Sequence, residues 1–509
     1  MPSERRLHPA TLVFDLARHV KQFAVPAVVV ILGVSGTTGG QGGMYDRLPS
    51  GWEVWLLVLF VPATLFSIAR YLSFRLHYAE RELVIRSGLI FRNERHIPFS
   101  RIQNVDAVQN VFHRLFGVVE VRLETGGGAE EEARLSVLAV SALDELRARV
   151  FAGTSHSTPS QAEPSHPVLL HMPVREVLLF GFLENKGMVL MAAGFGAAWE
   201  VGAVDLLTRG FFETTTAAGQ GLARDLFEGL AGRGPLPVAR LAIAAGAFAL
   251  FLVFVRLLSL AWAFLRLYDF RLTRVGEDLR TDYGLFTKVA TTIPVRRVQT
   301  ITIHAGPLHR WLDRVSVTVA TAGGAGGDSM TQGREQLAPL IRERALPDLL
   351  REIVPGFDLA FVNWQPVHPR AFARAIKPSL IFTTLVTLIA AFFIGAGAIG
   401  VAMVMLSWSA VSTHLHVKHL AWAEQEDVVM MRSGWLWQSI TLARVNKIQA
   451  VMMQESPFDR RAAMAVVRVD TAGAGQLSHR VAIPYLDRDV AAGLSQRLAG
   501  AAANVAFRW

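Results

Sequence analysis

A long stretch without any charged residue, Pro378–Thr413, constrains this chain more than any other feature of its sequence. As a single helix it would be about 54 Å long at 1.5 Å per residue, whereas the hydrocarbon core of a bilayer is about 30 Å thick. The glycine-rich centre of the stretch, Gly395–Gly400, offers a turn. We therefore expect two short transmembrane helices that are joined by a tight hairpin.

Further apolar runs predict two more hairpins. Gln22–Tyr45 and Val54–Ala69 contain no charge, and aromatic residues of the kind that favour the headgroup region flank the second run. Leu241–Phe264 is interrupted by Arg256, whose long side chain can extend to the membrane surface. Gly187–Trp199 is shorter than the roughly 20 residues of a full span, so it is either completed by the preceding apolar residues or forms a tilted or re-entrant segment. The sequence thus predicts about six transmembrane helices in three hairpins.

Basic residues near the apolar runs predict the orientation. The N-terminal segment has Arg5, Arg6, Arg18 and Lys21, whereas the loop at 35–51 has only Arg47. Because Lys and Arg accumulate on the cytoplasmic side, we expect the N-terminus inside and the loops at 35–51 and 201–235 outside. No small-residue cleavage site follows the first run, so the first hairpin is expected to remain as an anchor.

Composition narrows the functional classes. The chain contains no cysteine, which removes disulfides, thiolate metal sites and cysteine nucleophiles. Only 18% of its residues are charged, against about 25% in average soluble chains. The net charge of +9 suits either nucleic acid or an anionic membrane surface, and the 51% hydrophobic content favours the membrane. We expect the lipid bilayer as a partner, no nucleic acid and no cofactor.

An internal repeat occupies the three polar segments near 71–150, 268–352 and 414–500. With one glutamine of each copy as the anchor, a glycine, a basic residue, a β-branched residue, an arginine, a threonine and a second glycine recur at fixed offsets. Chance does not produce six such columns in three places, so the copies share one fold. The columns are Gly88, Gly284 and Gly434; Arg101, Arg297 and Lys447; Ile102, Val298 and Ile448; the anchors Gln103, Gln299 and Gln449; Arg114, Arg310 and Arg460; Thr125, Thr321 and Thr471; Gly127, Gly323 and Gly473.

Each copy has the pattern of antiparallel β structure. Apolar and polar residues alternate in Val119–Leu123, Val315–Val319 and Val467–Val469. The upstream glycines separate short apolar runs, as hairpin turns do, and we expect a positive φ at Gly88, Gly284 and Gly434. An amphipathic stretch ends each copy. The sequence predicts a curled antiparallel sheet of about seven strands, closed by one C-terminal helix.

The motif residues resemble a known family. Ser87-Gly88-Leu89, Ile97-Pro98, Arg101-Ile102-Gln103, His113-Arg114 and Thr125-Gly126-Gly127 are similar to the bacterial PH-like domain. Three such domains that alternate with hairpins resemble YdbT-type membrane proteins of the bacterial inner membrane. The third copy departs from the pattern, with Arg444 in place of proline and Asp459 in place of histidine. The resemblance implies an α+β membrane protein with three PH-like β-barrel or roll domains, and it implies no reaction.

The resulting organisation has seven parts. An N-terminal segment with the first hairpin (1–70) precedes PH-like domain 1 (71–152) and a linker (153–172). The second hairpin (173–266) precedes domain 2 (267–355), and the third hairpin (366–413) precedes domain 3 (414–502). The N-terminus and all three domains are expected in the cytoplasm of a multi-pass protein.

We expect this protein to bind and scaffold protein or peptide partners at the membrane surface, with lipid headgroups as the other ligand class. The candidate binding residues are polar members of the repeat, which can contact carboxylates or anionic headgroups: Arg101, Gln103, Arg114, Arg297, Gln299, Arg310, Lys447, Gln449 and Arg460. The competing interpretation is that these residues complete the edges of the sheets. No catalytic residues are predicted, and a transporter component or a metal-dependent membrane enzyme is the functional alternative.

One histidine cluster is relevant to that alternative. In His414-x-His416-x-x-His419, two imidazoles two positions apart would face the same side of a strand, an arrangement that suits zinc or copper. No cysteine accompanies them, and the nearby acids lie across an expected turn. The prediction therefore includes no metal site.

Overall fold

The computed structural model describes residues 71–88, 92–99, 102–125, 133–151, 167–184, 186–200, 237–321, 334–425, 427–471 and 480–503, with short stretches at 8–12, 14, 64–65, 68–69, 217–222, 224–225, 228 and 235. Most of the predicted first hairpin, the loop at 35–51, much of the loop at 201–235 and residues 153–166 of the predicted linker lie outside these ranges.

The strands follow the repeat, with six in each copy and one short strand before the second and third copies. They are β1 (Arg75–Tyr78), β2 (Glu82–Ser87), β3 (Asn93–Pro98), β4 (Ile102–Gln109), β5 (Val118–Thr125), β6 (Ala133–Ala139), β7 (Val168–His171), β8 (Arg271–Val275), β9 (Asp278–Tyr283), β10 (Lys288–Pro294), β11 (Val298–Ala305), β12 (Arg314–Thr321), β13 (Arg334–Arg342), β14 (Gln365–Pro366), β15 (Ala421–Gln425), β16 (Val428–Ser433), β17 (Gln438–Arg444), β18 (Ile448–Gln454), β19 (Met464–Thr471) and β20 (Arg480–Asp487).

The α-helices fall into three kinds: a five-residue helix inside each copy, a helix that ends each copy, and the long helices between the copies. They are α1 (Val111–Leu115), α2 (Val140–Phe151), α3 (Val174–Leu183), α4 (Lys186–Glu200), α5 (Val238–Leu267), α6 (Pro307–Trp311), α7 (Leu346–Ile353), α8 (Ala371–Ile394), α9 (Ala398–His419), α10 (Pro457–Arg461) and α11 (Arg488–Ala503). Short 3-10 turns lie at Val295–Arg297, Glu343–Ala345, Leu359–Phe361, Gly395–Gly397 and Val445–Lys447.

The strands form four antiparallel sheets, and two of these sheets are shared between copies of the repeat. Their orders are β1-β2-β3, β6-β5-β4-β10-β9-β8-β7, β13-β12-β11-β17-β16-β15-β14 and β18-β19-β20. The second half of each copy therefore continues into the first half of the next copy. The α+β antiparallel class is confirmed. No closed barrel forms among the described strands, because strands that could complete a barrel within one domain pair with a neighbouring domain instead.

Each copy has a core where its two half-sheets and its last helix meet. The cores of the first and third copies contain, for example, Leu123 with Leu146 and Val467 with Leu494, all fully buried. The second core is larger, because it also takes in Phe180 of α3 and residues of the third copy. The alternation of the strands supplies one apolar face to each core.

Among the described residues, three helices are long and apolar enough to cross a membrane: Val238–Leu267, Ala371–Phe392 and Ala398–His419. The last two lie within α8 and α9 and are connected by the 3-10 turn at Gly395–Gly397, where Gly395 has a φ of 56°. This arrangement matches the predicted pair of short helices with a turn in the glycine-rich centre. The positive φ explains why glycine is needed there.

The segment at Gly187–Trp199 lies in α4, and α4 is bent by 68° relative to α3 at the break between the two helices. Helix α5 contacts the carbonyls that this break leaves without helical donors. The Ser259 hydroxyl donates to the Gly181 and Glu184 carbonyls at 2.7 and 2.9 Å, and Arg256 Nη1 donates to the Phe182 carbonyl at 3.0 Å. Arg256, which the sequence predicts to extend to the membrane surface, thus also supplies a donor to the broken helix. Main-chain carbonyls at a helix break in apolar surroundings need such donors.

Candidate functional site at the sheet edges

The anchor glutamines lie at β-bulges in all three copies. The strand register changes between Ile102 and Asn104, between Val298 and Thr300, and between Ile448 and Ala450, so each glutamine is the extra residue. Its backbone stands opposite no residue of the adjoining strand, and the bulge bends the strand away from that neighbour. The repeat column at Gln103, Gln299 and Gln449 thus marks a bend in the sheet.

The glutamines of the second and third copies have different surroundings. The Gln299 side chain is 4% exposed, and its Nε2 donates to the Arg297 carbonyl at 3.2 Å. Gln449 occupies the equivalent place in the third copy and is exposed. The difference arises because β11, which contains Gln299, is covered by β17, whereas β18 is the edge strand of its sheet.

The two junctions between domains use the same register. At the first junction, Lys288 of β10 lies opposite Gln109 of β4, followed by Val289 opposite Val108. At the second junction, Gln438 of β17 lies opposite Ala305 of β11. Gln438 and Ala305 occupy the repeat positions of Lys288 and Gln109. One mode of strand addition therefore joins domain 1 to domain 2 and domain 2 to domain 3.

The arginine column lies at these junctions. An Nη2 of Arg114 donates to the Leu285 carbonyl of the next domain at 3.3 Å. The equivalent Arg310 donates to the Trp435 and Leu436 carbonyls at 3.1 and 3.0 Å. In both cases the acceptor follows the turn glycine of the neighbouring hairpin. Charge-assisted bonds of this kind fix the geometry of a junction.

The third arginine of the column, Arg460, contacts no neighbouring hairpin among the described residues. It is exposed, and its side chain makes no hydrogen bond to the part of the chain that the structure describes. The repeat spacing identifies the column of Arg114, Arg310 and Arg460 but not its role at the junctions. The acceptors at the junctions are main-chain carbonyls, which every residue has, so the sequence does not mark them.

The basic column lies beside the bulges. Arg101 is outside the described residues, and the side chain of Gln103 is likewise not described. Arg297 and Lys447 end equivalent 3-10 turns and are half-buried. Burial, and then the positive charge of Arg444, lowers the pKa of Lys447.

Arg444, which replaces the proline of the other copies, makes a contact at the second junction. Its Nη1 donates to the Val295 carbonyl of domain 2 at 3.3 Å, and burial lowers its pKa. A proline side chain at this position could not donate such a bond.

The turn glycines have a left-handed backbone: φ is 110° at Gly88, 113° at Gly284 and 84° at Gly434. A Cβ at Gly284 would lie 2.0 Å from the Thr287 carbonyl oxygen, and a Cβ at Gly434 would lie 1.9 Å from that of Trp437. Only glycine fits these turns, which hold the carbonyls that Arg114 and Arg310 contact.

His113, His309 and Asp459, which precede the arginines of the repeat column, are all buried. In the first and third copies this residue contacts the segment that precedes its domain. His113 stacks on Phe14 with the ring centroids 4.1 Å apart, and burial lowers the pKa values of His113 and His309. Asp459, the departure in the third copy, accepts a bond from Arg374 Nε at 2.7 Å. Burial by itself would raise the pKa of Asp459, but the hydrogen bonds from Ser456 and Arg374 lower it overall.

The sequence pattern suggests a strand for the histidine cluster, and this prediction is wrong. His414, His416 and His419 lie in the last turns of α9, because the helix continues beyond the apolar run to residue 419. Residues two positions apart on a helix point in different directions. His419 Nδ1 contacts the Leu415 carbonyl at 2.7 Å, and among the described residues no group of three or more His, Cys, Asp or Glu could hold a metal ion.

Two edge strands of the described sheets correspond to strands that are paired elsewhere. Strand β3 is equivalent to β10 and β17, and residues 93–96 are exposed whereas residues 289–292 of β10 are half-buried. Strand β18 is equivalent to β4 and β11. Residues 449, 450, 452 and 454 of β18 are exposed, whereas the first six residues of β11 are buried. The chain thus has two open strand edges, β3 and β18, whose equivalents pair with each other at the two junctions between domains.

Comparison with known proteins identifies the family of the repeated domains. The family model described as the bacterial PH domain matches residues 3–154, 230–353 and 381–502, which is most of the chain. The chain belongs to the bacterial PH domain family. It is similar to the UPF0699 transmembrane protein YdbT of Bacillus subtilis (strain 168), with 24% identity over 479 residues that cover 91% of each chain. No solved structure matches. This is a membrane protein with repeated bacterial PH domains of the YdbT type.

Proposed function

We propose that the protein is a non-enzymatic membrane scaffold that binds polypeptide partners through an open sheet edge at the cytoplasmic face. The observation that carries this proposal is the repeated junction, in which a PH-like domain twice accepts a strand in one register. A surface that holds an added strand through its main chain suits other extended polypeptides. Strand β18 presents this surface in the third domain.

The proposal selects among the nine candidate binding residues. Arg114, Gln299 and Arg310 already contact a neighbouring domain or are buried at a junction. Lys447, Gln449 and Arg460 surround β18, where no further domain follows among the described residues. We therefore assign partner binding to the third-domain set. Arg101, Gln103 and Arg297 belong to the equivalent edges of domains 1 and 2.

Membrane orientation is the first test. Because the chain has no cysteine, Glu277→Cys in the exposed β8–β9 turn and Ala218→Cys between the predicted spans can be labelled singly. We expect an impermeant maleimide to label Ala218→Cys in intact cells and Glu277→Cys only after lysis. Labelling of Glu277→Cys in intact cells would place the domains outside and end the proposal of a cytoplasmic scaffold.

Photo-crosslinking in cells is the second test. A benzophenone residue at Met452, which is 49% exposed on β18, is compared with one at Met403, which is 62% exposed on α9. We expect Met452 adducts to contain polypeptide and Met403 adducts to contain lipid. The Met452 yield should fall in a variant with Lys447→Ala and Arg460→Ala and at high salt, because screening weakens charge contacts. Lipid adducts at both positions would support headgroup binding instead.

A further inference from the structure

We propose that the polypeptide bound at β18 is strand β3 of a second copy of this chain, so that the protein assembles head to tail. This inference rests on the proposed function and names its partner. It follows from the topology of the sheets. Strands equivalent to β3 pair with strands equivalent to β18 at both junctions within the chain, whereas β3 and β18 themselves are edge strands. A second copy can repeat that junction with no new kind of contact.

The register of this third junction follows from the first two. Applying the repeat offsets to Lys288 opposite Gln109 and to Val289 opposite Val108 places Arg92 opposite Glu455 and Asn93 opposite Gln454. The first pair has opposite charges and the second joins two amides that can hydrogen-bond. Directly opposed pairs of these types favour pairing between strands.

The two sides of this contact differ in exposure, since the Glu455 side chain is 16% exposed. Arg92 and Asn93 are exposed. Glu455 is held in place by Arg488, whose Nε lies 2.9 Å from a Glu455 carboxylate oxygen. A positioned carboxylate opposite Arg92 fixes the register, because sliding the strands by one residue would remove the pair.

The arginine column gives a second, independent argument. Arg114 and Arg310 each donate to main-chain carbonyls of the hairpin that supplies the added strand. Arg460 occupies the same place on its short helix and makes no side-chain hydrogen bond within the described residues. Arg460 thus has the position that its two equivalents use for a junction.

Membrane residence favours the contact. Each copy of the chain carries its domains in the same order beside apolar helices, so two copies held in one membrane are confined to one plane and meet more often than they would in solution. The contact joins two different surfaces, so it is heterologous. Repetition of such a contact gives a closed ring or an open filament.

The absence of cysteine provides a direct test in the full chain. Asn93→Cys and Gln454→Cys chains are co-expressed with different tags and oxidised in the membrane. Opposed Cβ atoms are within reach of a disulfide, so we expect a mixed dimer from this pair and much less dimer from either variant alone. The register control is Asn93→Cys with Ala450→Cys, which is exposed on β18 and lies about 13 Å further along the strand. This pair should give less than a tenth of the mixed dimer.

A second variant separates a specific junction from random collision. Arg460→Ala in the Gln454→Cys chain should lower the disulfide yield several-fold, whereas Arg461→Ala, the exposed neighbour, should not. Equal yields from the in-register and out-of-register pairs, or no disulfide in either, would overturn the head-to-tail assembly. If Met452 adducts then contain another polypeptide, the proposed function stands with a different partner. If they contain lipid alone, both proposals fail.

Discussion

Replacing Gly284 tests whether the hairpin turn of domain 2 has the strained geometry that the structure shows. Its φ is 113°, a region that L-residues rarely adopt, and the added Cβ of Gly284→Ala would lie 2.0 Å from the Thr287 carbonyl oxygen. The matched control is Gly276→Ala in the β8–β9 turn. Gly276 has a φ of 63°, but nothing lies within 4 Å of its Cβ position. The two variants therefore share a positive φ, and Gly284→Ala adds a less favourable φ and a steric clash.

The expected cost follows from these two terms. A non-glycine residue in the left-handed region costs about 1–2 kcal/mol, which is the whole effect for Gly276→Ala. At Gly284 the backbone must also move by about 1 Å to restore an ordinary contact, so we expect the total to exceed the roughly 1–3 kcal/mol typical of a strained backbone conformation. The shift would also disturb the bond from the Gly284 amide to the Tyr268 carbonyl, which is 2.9 Å long.

The assay is thermal unfolding of the full chain in detergent, followed by the fluorescence of its tryptophans. For a domain of this size 1 kcal/mol corresponds to about 4–8 °C, so Gly284→Ala should lower the midpoint by more than about 10 °C. Gly276→Ala should lower it by about half as much or less. Equal midpoints for the two variants would show that the close approach to Thr287 is not a feature of this turn, and the reasoning would be refuted.

Two further predictions concern charge. Glu176 and Arg314 form a bidentate pair between α3 and β12, with bonds of 2.9 and 3.1 Å and side chains about 15% exposed. Because removing one partner leaves a nearly buried charge, Glu176→Gln should lower the free energy of unfolding by about 3 kcal/mol. In a double-mutant cycle measured by urea unfolding, adding Arg314→Met should recover part of this loss. Additive effects of the two substitutions would contradict the pairing. Burial lowers the pKa of His309 relative to the unfolded chain, so its contribution to stability is complete above pH about 6.5 and is lost as the pH falls below that value. His309→Gln should flatten the decline in the melting midpoint between pH 7 and 5, and an unchanged decline would exclude His309 as a source of it.

The sequence by itself determined the features that depend on neighbouring residues. The charge-free run at Pro378–Thr413 required two helices, and the turn lies at Gly395–Gly397 as the glycine pattern indicated. Period-two alternation marked strands β5, β12 and β19, and the spacing of the repeat marked Gly88, Gly284 and Gly434. These signals survive in a single sequence because helix length, strand pleat and turn conformation are set by local geometry.

The histidine cluster shows where local patterns fail. Residues 414–419 are compatible with a strand or a helix. They are helical because the preceding apolar helix, α9, continues to His419. Helix propagation is cooperative, so a short polar segment next to a long helix follows that helix. No spacing rule within the segment contains this information.

Only the tertiary structure decided which strands meet. Lys288 and Gln109 are far apart in the chain, and nothing in their local sequences specifies that they lie opposite each other. Gln299 and Gln449 occupy the same repeat position, yet one is buried and the other is exposed, because β17 pairs with β11 whereas β18 is an edge strand of its described sheet. Pairing of distant strands depends on which edges remain open once each domain has formed its core. Whether a repeated residue supports the fold or remains available to a partner is therefore a property of the assembled sheets.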